Sequence, residues 1–526
     1  MMKRPLFALA AFALIANAAS AVAATPAPTL ARAIEAITGR PSLKHTLFGI
    51  EVYDADSKRV IYAVNGQTFM KPASTTKLMT LGTTLALLGP NFKFTSPVYR
   101  TGPVDAAGVL HGDLVLVASG DPDLSGRIQP DGTMAFENED HSYDGSPDTK
   151  AVPGDPLAVL RDLAKQIAAA GITAVVGRVA VDTTLFPDGG PESGTGAYIS
   201  PIVVNDNLID TIVTPGKNVG DPVTFTVSPQ TPYATFSGKA TTGAPKSDNT
   251  LNMDDIATDN GNHTITLTGS VPASDPATLY AYRVPTPARF AAVGLTLALQ
   301  QAGVQIADAP RDVPFDKSVA SASYVPANLV AQHLSPPLRE DVRITLKVSD
   351  NLHASIMPYL LGVDVAHATH GILQAGFDQE HAFLQKAGLD LSQATQSDGL
   401  GGDAYFTPDF IVHYLLFAQT QPWFADLYRG LPILGVDGTL YNIQTTAPAK
   451  GKVHAKTGTW GISDLLNRGG MVNGKGLSGY VTARNGHHIV FALYLNRFQS
   501  GHNVDGGHIA GEVLGEISNA IYLYAK

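Results

Sequence analysis

Three short polar motifs lie far apart in this chain, and their separation limits its architecture more than any other feature. Ser74-Thr75-Thr76-Lys77 stands near the N-terminus, whereas Ser349-Asp350-Asn351 and Lys456-Thr457-Gly458 stand in the second half. The stretch between the first and second motifs is longer than an ordinary domain. If all three serve one site, both ends of the chain must build one unit and the middle must be inserted into it. The expected fold class is therefore α+β. Residues 25–90 and 328–526 would form an antiparallel sheet flanked by helices, and residues 91–327 a mainly β accessory insert with a candidate nested domain at 210–280. Leu47 to Tyr53 and Val60 to Val64 read as strands, as do Val223 to Val227 and Thr264 to Thr268 within the insert. Ile509, Val513, Ile517 and Ile521 recur every four residues, as on a helix packed against the sheet.

The first motif follows Pro72 and precedes Leu78-Met79-Thr80-Leu81, a pattern that opens a helix. Ser74 and Lys77 then share one face, a turn apart. A serine hydroxyl is a weak nucleophile at neutral pH and needs a base within reach. A lysine kept neutral by its surroundings can serve, and a helix N-terminus favours developing negative charge. Alone, Ser74 reads equally well as a helix cap, so its meaning depends on the other motifs.

Ser-Asp-Asn occurs twice, and context separates the copies. Ser349-Asp350-Asn351 is followed by Leu352, Ile356, Leu360 and Leu361 at helical spacing, so packed elements can hold its side chains. Ser247-Asp248-Asn249 lies in a polar, turn-rich run and reads as a loop. Lys456-Thr457-Gly458 continues to Thr459-Trp460 in a strand-like run. Downstream, an Asn485-Gly486 turn between apolar runs predicts a hairpin. In such a sheet Gly458 would admit a substrate backbone, and Lys456 with Thr457 could hold a carboxylate.

With these three motifs in this order, the chain resembles the penicillin-recognising serine DD-peptidases. Within them it is similar to the D-alanyl-D-alanine carboxypeptidase/endopeptidase family, the low-molecular-mass class C penicillin-binding proteins. Family-like segments include Gly120-Asp121-Pro122, Gly435-Val436-Asp437-Gly438-Thr439-Leu440 and Leu477-Ser478-Gly479-Tyr480. One departure is Ser397-Asp398-Gly399-Leu400-Gly401-Gly402, where the family tends to show Asp-Gly-Ser-Gly-Leu-Ser. The resemblance implies a transpeptidase/β-lactamase-like catalytic unit acting on D-Ala-D-Ala type bonds of peptidoglycan stem peptides or cross-links, with β-lactams as covalent inhibitors. It assigns Ser74 as nucleophile, Lys77 as base and Ser349 as proton relay. It places Asn351 against the substrate amide, Lys456 and Thr457 at the terminal carboxylate, and the backbone N–H groups of Ser74 and Thr459 in an oxyanion hole.

Lys3-Arg4, an apolar run from Leu6 to Ala16 and small residues ending at Ala23-Ala24 read as a secretory signal over residues 1–24. The expected location is periplasmic or otherwise extracytoplasmic, with no transmembrane anchor. Loss of Lys3 and Arg4 takes the formal charge from −10 to −12, which argues against nucleic acid as a partner. Residues 121 to 156 carry nine acidic side chains against Arg127 and Lys150, and read as a solvated, mobile loop.

No cofactor or metal is expected, since His367-Ala368-Thr369-His370 and His487-His488 lack an H-E-x-x-H pattern. Two rival readings stay open. One is a β-lactamase on the same fold, which the missing Glu-x-x-Leu-Asn segment disfavours. The other is a catalytically silent penicillin-binding or wall-binding module, disfavoured because Ser74, Lys77, Ser349 and Lys456 are all present.

Overall fold

The computed structural model describes residues 29–310, 320–502 and 504–526; the expected signal segment, 1–24, lies outside the described residues. Two strands from the N-terminal part, β1 (Leu47–Asp54) and β2 (Arg59–Val64), join four from the C-terminal part: β3 (Val453–Asp464), β4 (Gly469–Thr482), β5 (His488–Asn496) and the short β6 (Phe498–Ser500). All pair antiparallel in the order β2-β1-β5-β4-β3, with β6 on β4. The two chain ends meet at the β1–β5 ladder, where Leu47 faces Asn496 and Asp54 faces Ile489. The predicted Asn485-Gly486 turn joins β4 to β5, with Gly486 at φ +95, a left-handed conformation suited to glycine.

Both sheet faces are covered by helices, which explains why β5 is apolar along nearly its whole length rather than alternating. α1 (Leu30–Thr38) and the C-terminal helix Gly506–Tyr524 cover one face, packing Ile34, Val513, Ile517 and Ile521 against Ile50, Val52, Phe491 and Leu493. The other face carries Tyr480, Val490 and Tyr494 against α2 (Lys77–Leu88), α3 (Leu338–Lys347), α4 (Asn351–Leu360), α5 (Ile372–Lys386) and α6 (Pro408–Ala418). Burial of each such Leu or Ile contributes about 1.5–3 kcal/mol. Residues Lys77 to Leu85 of α2 are buried on every side, so this helix runs through the core rather than over it. Among the described residues no helix is long and apolar enough to cross a membrane.

In the insert, Thr95–Arg100, Leu114–Val117, Val179–Asp182 and Leu329–Leu334 form a four-stranded sheet. Helices Ala158–Ala169 and Pro287–Gln301 share its apolar core. Leu329–Leu334 lies beyond residue 327 in sequence, yet it hydrogen-bonds to Thr95–Arg100. A separate small cluster of Val213, Val223, Ala240, Leu267 and Val271 gathers within the 210–280 stretch, where the expected strands appear as Thr224–Ser228 and His263–Thr268.

The structure corrects one expectation outright. The acidic stretch is not a solvated loop over its length: Asp121 to Arg127 and Asp140 to Ser142 are buried. The Arg127 guanidinium donates through Nη2 to Asp140 and Asp206, both at 2.7 Å, and its Nε lies 3.9 Å from Asp123. Asp206 also faces His141 and His353, whose far ring nitrogens meet Asp210 and Asp341. Burial alone would pull both imidazoles toward neutrality, but the carboxylates around them, Asp210 and Asp206 at His141 and Asp350, Asp123, Asp206 and Asp341 at His353, outweigh it and hold them well above the usual histidine range. The stretch is thus an ordered strap pinned by ion pairs to residues remote in sequence. Solvent reaches it at Pro130 to Thr133 and in its later part, from Gly145 onward.

Glu380 on α5 is buried, and neither carboxylate oxygen has a hydrogen-bond partner among the described residues. Burial raises its pKa to about 7. The folded state therefore holds a proton that the unfolded chain releases near pH 4.5, and the stability this contributes is lost as pH rises through about 7. Glu51 and Asp121, also raised to about 7 by burial, act in the same direction. The melting temperature is expected to fall between pH 5 and pH 8. Glu380→Gln should reduce that fall and melt higher than wild type at pH 8; equal pH dependence in the two proteins would refute the assignment.

Candidate active site

Ser74 sits not in the α-helix proper but in a 3₁₀ turn, Ala73–Thr76, that leads into it, with Lys77 as the first residue of α2. Ala73 is left-handed at φ 47, which breaks the helix ahead of the serine. Thr75 and Thr76 fix the turn by donating their hydroxyls to the Pro72 and Ala73 carbonyls. Ser349 is also left-handed, at φ 65, and Asp350 caps α4 by accepting from the His353 N–H. That cap aims Ser349 and Asn351 back toward α2.

The Lys77 amine is the centre of the arrangement. Its Nζ lies 3.0 Å from Ser74 Oγ and 3.2 Å from Ser349 Oγ, and donates to the Ser349 carbonyl at 2.7 Å and to Asn351 Oδ1 at 2.5 Å. Burial pulls its pKa down to about 7, against the opposing charges of Asp350, Glu192 and Asp398. A neutral amine that directs its two N–H groups at Ser349 O and Asn351 Oδ1 keeps its lone pair for the Ser74 hydroxyl. Such a group can take a proton near neutral pH.

Lys456 is fully buried; its Nζ lies 2.7 Å from Ser349 Oγ and turns away from the open cavity. Burial, reinforced by Lys77 and Lys475, holds it well below the usual lysine range. The cavity, about 360 Å³, opens on Ser74 and Ser349 and is walled by Tyr143, Thr439, Thr457, Thr459 and Lys475. Thr439 and Thr457 share a hydrogen bond at 2.6 Å, and Lys475 donates to Thr459 at 2.8 Å. These hydroxyls and Lys475 are able to meet a carboxylate from inside the cavity. Gly458 has a reason other than the one expected: a Cβ there would lie 2.3 Å from the Pro72 carbonyl oxygen and 2.9 Å from the Ser74 nitrogen. What needs the space is the protein's own serine turn.

The structure brings all the sequence-selected residues together, Ser74, Lys77, Ser349, Asn351, Lys456, Thr457, Gly458 and Thr459. It leaves Ser247-Asp248-Asn249 apart, in an exposed turn where Asn249 bonds Tyr280 and Asp248 faces His502. Asp398, in the divergent loop, accepts from the backbone of Leu400, Gly401 and Gly402 and so shapes that loop against the Ala73 turn. Sequence reasoning missed Tyr143, Thr439 and Lys475. Of these only Thr439 carried a signal, within the Gly-Thr-Leu run.

Across residues 30–511 the sequence matches the model of the D-Ala-D-Ala carboxypeptidase 3 (S13) family. The chain belongs to that family. The D-alanyl-D-alanine carboxypeptidase of Actinomadura sp. (strain R39) is 31% identical over 479 residues, 86% of this chain and 80% of that protein. D-alanyl-D-alanine carboxypeptidase DacB of Haemophilus influenzae is 23% identical over 466 residues, 86% of each chain. The crystal structure of penicillin binding protein 4 (dacB) from Haemophilus influenzae superposes with a TM-score of 0.69 at 20% identity, covering 93% of this chain and 99% of that one. The S13 carboxypeptidase family is one of serine hydrolases, and this chain shares its fold and its D-Ala-D-Ala carboxypeptidase activity.

Proposed function

We propose that this carboxypeptidase works through a Ser74 acyl-enzyme and that penicillins trap it there. Four oxygens gathered around one buried, proton-poor amine are the observation that carries the reading. Ser74 Oγ attacks the penultimate D-Ala carbonyl while its proton passes to Lys77 Nζ. The C–N bond breaks as Ser349 Oγ gives its proton to the departing amine and is reprotonated from Lys77. Water then attacks the ester, releasing the shortened peptide and restoring the Ser74 hydroxyl. Lys456 polarises Ser349, Asn351 orients the substrate amide, and Thr457 with Thr439 and Lys475 receives the terminal carboxylate. The N–H groups of Ser74 and of Thr459, on the edge strand β3, stabilise the oxyanion, worth about 10²-fold or more per donor. Residues 25–90 with 328–526 form the catalytic unit and 91–327 the accessory insert, whose sheet Leu329–Leu334 completes from the C-terminal part.

The same site acts on cross-links as well as terminal D-Ala, because both present one acyl group and differ only in the leaving amine. The protein does this outside the cytoplasm, where peptidoglycan lies. Support for β-lactam trapping comes from the relatives: one, in Dictyostelium discoideum, is named a penicillin-sensitive carboxypeptidase, and the Haemophilus influenzae neighbour has been solved with a β-lactam. Incubation with peptidoglycan fragments should release D-Ala and reduce cross-links together. A fluorescent penicillin should label wild type and not Ser74→Ala. Labelling that survives the substitution overturns the nucleophile, D-Ala release without cross-link loss overturns the endopeptidase half, and rapid antibiotic turnover without peptide cleavage favours a β-lactamase.

A further inference from the structure

Tyr143 belongs to none of the three motifs, yet it reaches the centre of the site. It stands at the end of the ordered strap, directly after His141 and Ser142. Those two residues are buried through the bonds of His141 to Asp206 and Asp210 and of Ser142 to Asp140. The Asp206 carboxylate, held by Arg127, also meets His353 at the start of α4, so strap and Ser349 turn are tied to one buried charge. From this anchor the Tyr143 ring lines the cavity beside Ser74 and Ser349. Its hydroxyl donates to the Ser349 carbonyl at 2.5 Å and lies 3.4 Å from Asn351 Oδ1. Those are the two oxygens that receive the N–H groups of Lys77.

We propose that Tyr143 is a positioning residue for acylation: its phenol, beside Asn351 Oδ1, donates to the Ser349 carbonyl and so keeps Lys77 in the amine form that accepts the Ser74 proton. The reasoning rests on Lys77 being the base. An ammonium is favoured over an amine by electron-rich acceptors around it, and every donor directed at those acceptors makes them poorer partners for the extra proton. Removing the hydroxyl returns the Ser349 carbonyl fully to Lys77 and favours the ammonium. The charges facing Lys77 are Asp350 on the Ser349 turn, Glu192 from the insert and Asp398 from the divergent loop, and all three favour the ammonium. Lys456 on β3 is itself held well below the usual lysine range by burial and by Lys77, so the donor from Tyr143 opposes the three carboxylates without a charge of its own. Burial raises the phenol pKa well above the usual tyrosine value, which keeps it a donor across the working pH range.

The test is the pH profile of acylation by a fluorescent penicillin, measured from pH 5 to 10 in the full chain. In wild type the acid limb should have its midpoint near 7; a limb near 10 would remove Lys77 as base and the present inference with it. Given the wild-type limb near 7, Tyr143→Phe, nearly isosteric, should move the midpoint up by about half a pH unit or more and lower the plateau. A fluorotyrosine placed at position 143 is a stronger donor and should move the midpoint down. Loss of rate with an unmoved midpoint in both variants overturns the proposal, since simple packing of the ring would lower the rate equally at every pH.

Discussion

Lys77→Ala, or the nearly isosteric Lys77→Met, is expected to leave the chain folded and to slow acylation by about 10²-fold or more. A lysine with its ordinary affinity for protons would be neutral in only about one molecule in a few thousand at pH 7. Burial inside α2 brings the Lys77 pKa down to about 7, so about half the molecules hold the free amine at that pH. The amine is also placed, not merely neutral: the Ser349 carbonyl and Asn351 Oδ1 orient it toward Ser74 Oγ, 3.0 Å away. Substitution removes proton acceptor and orientation together, while the Ser74 hydroxyl and the cavity remain. The expected readings are an unchanged circular dichroism spectrum, slow penicillin labelling at Ser74 and proportionally slow D-Ala release. Labelling at the wild-type rate would assign the proton to another group.

The parts of this site that were legible in the sequence are those whose cause is local. Ser74 and Lys77 lie one turn apart, the Ser349 turn precedes a helix with visible apolar spacing, and Asn485-Gly486 dictates a hairpin that aligns β4 with β5. The two-ended sheet followed from motif order alone, because a site built from Ser74 and Lys456 requires the ends to meet. Gly458 was legible as a requirement, though its reason was not: a tripeptide does not reveal that the Pro72 carbonyl will lie against it. Lys456 shows the same limit. Its chemistry suggested a carboxylate receptor in the open cavity, but the strand buries it against Ser349 Oγ, and the cavity instead presents Thr439 and Lys475.

The strap was misread because charge composition is a local quantity and burial is not. Nine acidic side chains in one stretch imply solvation only if no cation comes to meet them. Here Arg127 lies within the stretch, and Asp206 lies 79 residues from it on a turn where Asn205, Asp206 and Asn207 are all left-handed. His353 approaches from α4, on the far side of the insert in sequence. No window over residues 121–156 contains Asp206 or His353. The same non-locality concealed Tyr143, whose acceptor is the backbone carbonyl of a residue 206 positions away.

Arg127→Ala is the second large effect, because Arg127 is fully buried between two aspartates and its loss removes the guanidinium that both accept from. Removing one partner of a buried pair costs about 3–5 kcal/mol. His141 and His353 still face Asp206, so the damage should be heaviest at Asp140, which is bonded to Arg127 and caps the His141–Tyr143 turn. The strap should therefore detach before the core unfolds. Arg127→Lys is not expected to rescue it, since the shorter side chain does not carry its ammonium to the place where Nη2 meets both carboxylates and has no second nitrogen to approach Asp123. Limited proteolysis gives the direct reading: wild type should resist cleavage from Asp121 to Arg127 and from Asp140 to Ser142, with any early cut confined to the exposed segments near Pro130 to Thr133 and Gly145 to Asp148, whereas Arg127→Ala should be cut within the buried parts of the strap. Penicillin labelling should slow in the same variant, because Tyr143 leaves the Ser349 carbonyl when the strap does. Ready cleavage of the wild-type strap with labelling intact would return it to the status of a solvated loop and uncouple it from the site.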